Sequence, residues 1–193
     1  MLILASQSPR RQQLLTQAGY NFETRIPDVD ETAPEGLEVE KVAEVLARKK
    51  ADAIFATEGQ TIVAADTIVI LDGELIGKPV DAEDAARILR RLSGKTHTVA
   101  TGVCIRNVEK VESFTVLTEV VFRELSQAQI THYVYTQPPL DKAGSYAIHE
   151  WIGLVAIERI NGDYYSVMGL PVGEVVKVLS RDFGVELPLQ KGA

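Results

Sequence analysis

The spacing of apolar positions along this chain changes several times, and each change marks an element. Leu2 to Ala5 is a short, wholly apolar run, the pattern of a buried strand. Ser8-Pro9 follows, a serine in the N-cap position and a proline at the first helical position. It predicts a helix that turns Leu14, Leu15 and Ala18 inward and stops at Gly19. Pro27 to Gly36 is acidic and proline-containing and reads as a loop. From Leu37 to about Ala56, Val39, Val42, Ala43, Leu46 and Ala53 keep helical spacing. Thr61 to Leu71 is rich in β-branched residues, a buried strand with one polar break at Ala65-Asp66-Thr67. Asp72-Gly73 predicts a hairpin into Glu74 to Ile76. Asp81 caps a helix to about Leu92, stopped by Gly94. Thr96 to Arg106 and Val111 to Arg123 read as two long strands, the second with Phe114, Val116, Val120 and Phe122 on one face. Ser126 and Gln129 form a capping-box pattern opening a helix to about Tyr135, which Pro138-Pro139 breaks. Leu154 to Ile160 is expected as a strand and Pro171 to Leu179 as a final helix. Strands alternating with helices, with hairpins among them, predict an α/β fold with a mixed sheet.

Composition narrows the function. A chain of 193 residues suits one domain or two tightly joined lobes, and 46% hydrophobic residues suffice for a sizeable core. The net charge of -7 argues against duplex nucleic acid, which wants a broad basic field. A phosphorylated small molecule stays open if the few cations gather in one cleft. The single cysteine, Cys104, excludes an intrachain disulfide and fits a reducing compartment. Its apolar, strand-like setting reads as a buried small hydrophobe. No apolar run approaches the roughly 18 residues of a membrane span. The first residues lack the basic start of a signal peptide. A cytoplasmic protein with no membrane partner is the expectation.

Several residues could carry chemistry. In Ser6-Gln7-Ser8-Pro9-Arg10-Arg11 a strand gives way to a helix N-terminus, whose unpaired N–H groups favour an anion. Two arginines there add forked donors suited to phosphate, although the dipole disfavours cations at that end; the alternative is a solvated first turn. Asp66 sits in an apolar strand, where a carboxylate must be paired, hydrogen-bonded or bound to a metal. It reads either as a metal ligand or general base, or as a structural aspartate held by backbone N–H groups. Glu31 lies in the acidic loop with Asp28 and Asp30, where solvation is the ordinary fate. With Asp66 it could offer oxygens to a hard divalent ion. Lys50, late in its helix, faces solvent by default, while Lys78 in Gly77-Lys78-Pro79 and Lys142 in Asp141-Lys142-Ala143-Gly144 sit in turns. No histidine pair has zinc spacing, and no P-loop, nucleophile elbow or cysteine–histidine motif is present.

Several segments stand in a fixed order: Leu4-Ala5-Ser6-Gln7-Ser8-Pro9-Arg10-Arg11, Asp30-Glu31, Ala47-Arg48-Lys49-Lys50-Ala51, Ala65-Asp66-Thr67 and Gly77-Lys78-Pro79. Leu92-Ser93-Gly94-Lys95-Thr96-His97, Thr101-Gly102-Val103, Pro139 to Tyr146, and Val167-Met168-Gly169-Leu170-Pro171 continue the series. The ordered set resembles the Maf family of nucleotide pyrophosphatases. The resemblance implies an elongated mixed β-sheet with flanking helices and two lobes around a central cleft, related to inosine-triphosphate pyrophosphatases. Residues 1–193 would form one such domain. It implies hydrolysis of a nucleoside triphosphate between the α- and β-phosphates, with a divalent cation (magnesium, manganese or cobalt), in a homodimer. On the match, Asp66 corresponds to the general base, and Ser6, Arg10, Arg11, Glu31, Lys50 and Lys78 fall on other active-site positions. Glu31 and Asp66 would hold the metal.

The family divides by substrate. Arg10, Thr67 and the Asp141-Lys142-Ala143-Gly144 run match the branch that prefers dTTP and UTP. A 7-methyl-GTP branch carries tryptophan and glutamine in place of Arg10 and Thr67. His149 departs from the first branch, which has glutamine there, so CTP or modified pyrimidine nucleotides also enter as substrates. Thr67, His149 and Arg10 are then the expected readers of the base, and nucleotide-pool house-cleaning the expected task. Two other classes stay open: a nucleotide-sensing regulator of cell division with little hydrolysis, and a nucleotidyltransferase with a second substrate.

Overall fold

The computed structural model of the chain describes residues 1–32 and 36–188. Its first strand, β1 (Leu2–Ala5), is buried along its whole length, as its unbroken apolar run requires. Parallel partners flank it on both sides: β2 (Phe22–Arg25), with Leu2 opposite Phe22, and β3 (Thr61–Leu71), with Leu2 opposite Thr61. Parallel neighbours need crossover connections. Helix α1 (Pro9–Gln17) lies between β1 and β2 in the chain, and α2 (Val42–Asp52), entered through a 3-10 turn at Val39–Lys41, lies between β2 and β3. β3 turns back through Asp72 and Gly73, both at positive φ (54° and 81°), into the antiparallel β4 (Glu74–Ile76). Two successive positive-φ residues make the tight turn that matches strand twist, and Asp-Gly is suited to it.

After α3 (Ala82–Leu92) come β5 (Thr96–Arg106) and β6 (Val111–Phe122), then α4 (Gln127–Thr136), α5 (Trp151–Ala156), β7 (Ile157–Asn161), α6 (Tyr164–Met168) and α7 (Val172–Phe183). The sheet order is β2-β1-β3-β5-β6-β7, with β4 on β3. Parallel pairs among β1, β2 and β3 coexist with antiparallel β3–β4 and β6–β7 pairs, the expected mixed sheet. Asp81 caps α3 by accepting the Asp84 N–H, and Ser126 with Gln129 closes a full capping box on α4.

The chain divides into two compact units. The first comprises Met1–Asp66, Thr101–Val116 and the chain from Gly169 onward; the second comprises Thr67–Ala100 and Leu117–Met168. In the first, Ile3, Ala5, Ala47, Ala51, Ile62, Ala64 and Cys104 form a small-residue core beneath α2. Gly102 makes that close packing possible: a Cβ there would lie 2.2 Å from the backbone carbon of Ala43 and the backbone nitrogen of Glu44. In the second, Leu71, Leu89, Leu92, Phe122, Ile130, Tyr133 and Ile152 form a larger-residue core.

Two expected boundaries are corrected, and one strand was not expected. Residues 154–156 end a short helix, and the strand starts only at Ile157. The Ile148 carbonyl oxygen sits 1.9 Å from where a Gly153 Cβ would be, so the chain folds tightly back there. A short apolar run cannot distinguish the two states by itself. The last helix runs past Leu179 to Phe183, ending at Gly184 in the left-handed conformation. β2 carries no buried residue, so no apolar run announces it. Of the Pro27–Gly36 loop, Ala33, Pro34 and Glu35 lie outside the described residues, as do residues 189–193 of the tail. Among the described residues no helix is long and apolar enough to cross a membrane.

Candidate functional site

The polar break in β3 is where the first unit gathers its charge. Asp66 is only 8% exposed and Lys50, on α2, only 6%. Lys50 Nζ lies 2.5 Å from Asp66 Oδ1 and 2.9 Å from Glu31 Oε1. The helical face that buries Ala43, Leu46, Ala47 and Ala51 also turns Lys50 inward, so the lysine does not face solvent. Its stem crosses apolar surface and its head meets the carboxylates. Asp66 is thus satisfied by an ammonium rather than by backbone N–H groups alone. Glu31 is half exposed, and its loop is tied down on either side of it. Asp30 Oδ1 accepts the Thr32 N–H at 2.9 Å and the Thr32 hydroxyl at 2.6 Å, and these bonds hold the Asp30 carboxyl below its ordinary range. Lys49 Nζ reaches the Thr32 carbonyl at 3.5 Å.

The turn after β1 supplies the other edge. Ser6 is buried, and its hydroxyl oxygen accepts the Ser8 N–H at 3.1 Å and an Arg11 N–H at 3.4 Å. Ser8 occupies the N-cap position of α1, but its own side chain makes no cap bond. Arg11 Nε donates to the Gly169 carbonyl at 2.8 Å. Burial pulls the Arg11 guanidinium below its ordinary pKa, the Asp66 charge pulls it back up, and Arg10 and Glu31 act on it more weakly. An arginine stays protonated through such shifts. The first unit therefore brings together Ser6, Arg11, Glu31, Lys50 and Asp66, with Arg10 close enough to be felt. Three cations stand against two carboxylates, an arrangement that favours a polyanion and can orient it through forked donors. Gly169 was not singled out for a role in the sequence. Its positive φ of 118°, just before Leu170-Pro171, is a backbone conformation that favours glycine.

Thr67, Lys78 and His149 belong to the second unit. Thr67 follows Asp66 on β3, and strand alternation sends its half-buried side chain to the opposite face. Lys78 is exposed in the turn after β4. The preceding Gly77 carbonyl accepts the Gly144 N–H at 3.2 Å, so the Lys78 turn is held against the 141–150 segment. His149 is exposed on that same segment. Lys142, side chain 10% exposed, lies 2.8 Å from Asp141 and 3.4 Å from Glu150. Cys104 is fully buried, and burial pushes its thiol up to about 11, which excludes an activated nucleophile. Among the described residues no cluster of three or more His, Cys, Asp or Glu could hold a metal by itself. Two carboxylates, Glu31 and Asp66, do converge, and the cation they meet is the Lys50 ammonium.

The family model described as Maf-like protein matches residues 1–182. A dTTP/UTP pyrophosphatase of Porphyromonas gingivalis is 47% identical over 188 residues, covering 95% of this chain and 94% of that protein. Proteins of the same name from Phocaeicola vulgatus and Bacillus pumilus are 45% identical over 183 residues and 44% identical over 185. These cover 93% and 95% of this chain, and 95% and 97% of theirs. Among solved structures, the Ham1 protein of Staphylococcus aureus matches 63% of this chain and 71% of its own, at 15% identity and a TM-score of 0.44.

Proposed function

This chain belongs to the Maf family, and from that premise we propose that it hydrolyses nucleoside triphosphates, dTTP and UTP foremost, to the monophosphate and pyrophosphate. The observation that carries the reading is the Lys50–Asp66–Glu31 cluster beside Ser6 and Arg11. The buried Lys50–Asp66 pair at its centre is costly to maintain, and the chemistry of a polyanionic substrate would account for it.

In this reading Arg10, Arg11, Lys50 and Lys78 neutralise the triphosphate. Ser6 fixes the turn that presents the α1 N-terminus to it. Asp66 takes a proton from water as the water oxygen bonds to the α-phosphorus. The bond from the α-phosphorus to the bridging oxygen breaks, and pyrophosphate leaves with that oxygen. Positioning and charge stabilisation supply most of the rate. The residues fit a divalent cation, magnesium, manganese or cobalt. Glu31 and Asp66 offer hard oxygens in the number that magnesium uses when phosphate oxygens and waters complete its shell. When bound, such an ion would add positive charge against the phosphates. Arg10, Thr67 and His149 read the base, with CTP and modified pyrimidine nucleotides as further substrates, and the task is house-cleaning of the nucleotide pool. We place the enzyme in the cytoplasm as a homodimer; a reduced, buried Cys104 is compatible with that compartment.

The test is pyrophosphate release from a panel of canonical and modified triphosphates, with each of the three metals, by wild type and Asp66→Asn. The expected outcome is metal-dependent release that falls on the order of a hundredfold or more in the variant. Wild-type turnover by Asp66→Asn would remove Asp66 as the base. No release by wild type, from protein that still binds a triphosphate, would replace the hydrolase with a nucleotide-sensing regulator.

A further inference from the structure

The segment that carries His149 is held in the second unit by one phenol. Tyr133, on α4, is fully buried, and its hydroxyl makes two bonds at once. It donates to Glu150 Oε2 at 2.5 Å and accepts the Ala147 N–H at 3.3 Å. Ala147 lies two residues before His149 and Glu150 one residue after it. The phenol therefore ties the backbone before an exposed imidazole to the side chain that follows it. The other oxygen of Glu150 reaches Lys142 Nζ at 3.4 Å, and the Glu150 N–H donates to the Ala147 carbonyl at 3.1 Å. Further back, Gly144 packs so closely on Val69 that a Cβ would lie 2.8 Å from its methyl carbon. Apart from the short 3-10 turn at Ala143–Ser145, the stretch between α4 and α5 has no regular helix or strand, so these contacts take over what backbone ladders do elsewhere.

We infer that Tyr133, acting through Glu150 and Ala147, is a positioning residue for His149 and so sets base selectivity. This rests on the reading above, in which His149 contacts the base. A histidine one bond away from where it should stand loses a directed hydrogen bond but not the phosphate chemistry, so the effect falls on discrimination between bases. Burial and the neighbouring Glu150 charge hold the phenol well above its ordinary pKa. The donor is therefore present at every pH at which the enzyme would work.

The experiment measures kcat/KM for UTP, dTTP and CTP, together with thermal unfolding, for wild type, His149→Ala, Tyr133→Phe and Glu150→Gln. Tyr133→Phe keeps the ring and removes both hydroxyl bonds. It should shift the UTP:CTP and UTP:dTTP ratios about threefold to tenfold, the size of one lost hydrogen bond. The shift should follow the direction of His149→Ala, with kcat for the best substrate largely retained. Glu150→Gln keeps an acceptor for the phenol and should hold the wild-type ratios. If Tyr133→Phe fails to fold, Glu150→Ala, at a side chain 21% exposed, removes the same bridge and must give the same shift. A ratio shift in His149→Ala with wild-type ratios in a folded Tyr133→Phe would overturn the inference and leave the pyrophosphatase reading standing. Wild-type ratios in His149→Ala would overturn it as well, because His149 would not read the base. A wild type that cleaves no triphosphate would sink the underlying reading itself.

Discussion

Around Lys50 the first unit buries full charges, whereas around His97 the second unit buries polar groups that stay neutral. Lys50, Asp66 and Glu31 satisfy one another as ions. His97, 2% exposed, has its Nε2 at 2.8 Å from the Tyr146 hydroxyl and meets the Phe122 and Tyr146 rings edge-on at 5.0 and 5.4 Å. Burial lowers His97 to about 4 and pushes Tyr146 well above its usual value, so both remain uncharged near neutrality. Neutral polar groups can rigidify a core at modest desolvation cost, while ions there are costly unless paired. The contrast makes the Lys50–Asp66 pair the place where the proposed chemistry is first to be tested.

The comparison breaks most sharply at Lys50. Lys50→Met strands Asp66 in the core without its ammonium, and should cost about 3–5 kcal/mol in urea unfolding. An unchanged midpoint and slope would mean that Asp66 has other support. A smaller effect should appear on the neutral side. An unfolded histidine near 6.5 takes up a proton that folded His97, near 4, refuses. Stability is therefore fully present above about pH 6.5 and falls as pH drops from 6.5 toward 4, by about 3 kcal/mol from this residue. Unfolding midpoints of wild type and His97→Gln across that window check the sign, since the variant's curve should lack this component. The smallest effect belongs to an exposed helix cap that takes part in neither network. Ser126→Ala opens the α4 capping box and should cost about 1 kcal/mol, with pyrophosphate release unchanged. A loss of turnover there would show that activity follows global stability rather than the Lys50 cluster.

Most elements were legible because their signals are local. Leu2–Ala5, Thr61–Leu71, Glu74–Ile76 and Thr96–Arg106 stand where apolar runs, β-branched residues and the Asp-Gly turn put them. The caps at Asp81 and Ser126 were readable because a side chain three residues from its backbone partner needs no other part of the fold. Strand β2 was not readable, since as an outer strand with polar, half-exposed residues it has little apolar signal. The short helix Trp151–Ala156 was misread because its apolar residues suit either state until the Ile148 carbonyl closes on Gly153.

The candidate site divides in the same way. Sequence by itself marked Asp66 as a carboxylate that burial would force into a partnership, and set Ser6, Arg10 and Arg11 beside a helix start. It left Lys50 facing solvent by default, although Lys50 stands four residues after Leu46 and seven after Ala43, on the face of α2 that the fold buries. Nor could it pair Arg11 with Gly169, 158 residues away, or Tyr133 with Glu150. Periodicity and capping act through neighbours on one element, so the sequence alone determines them. Which ammonium answers a buried carboxylate depends on how closely α2 lies on the sheet, and Gly102, with no side chain in the way, lets the tertiary structure decide that.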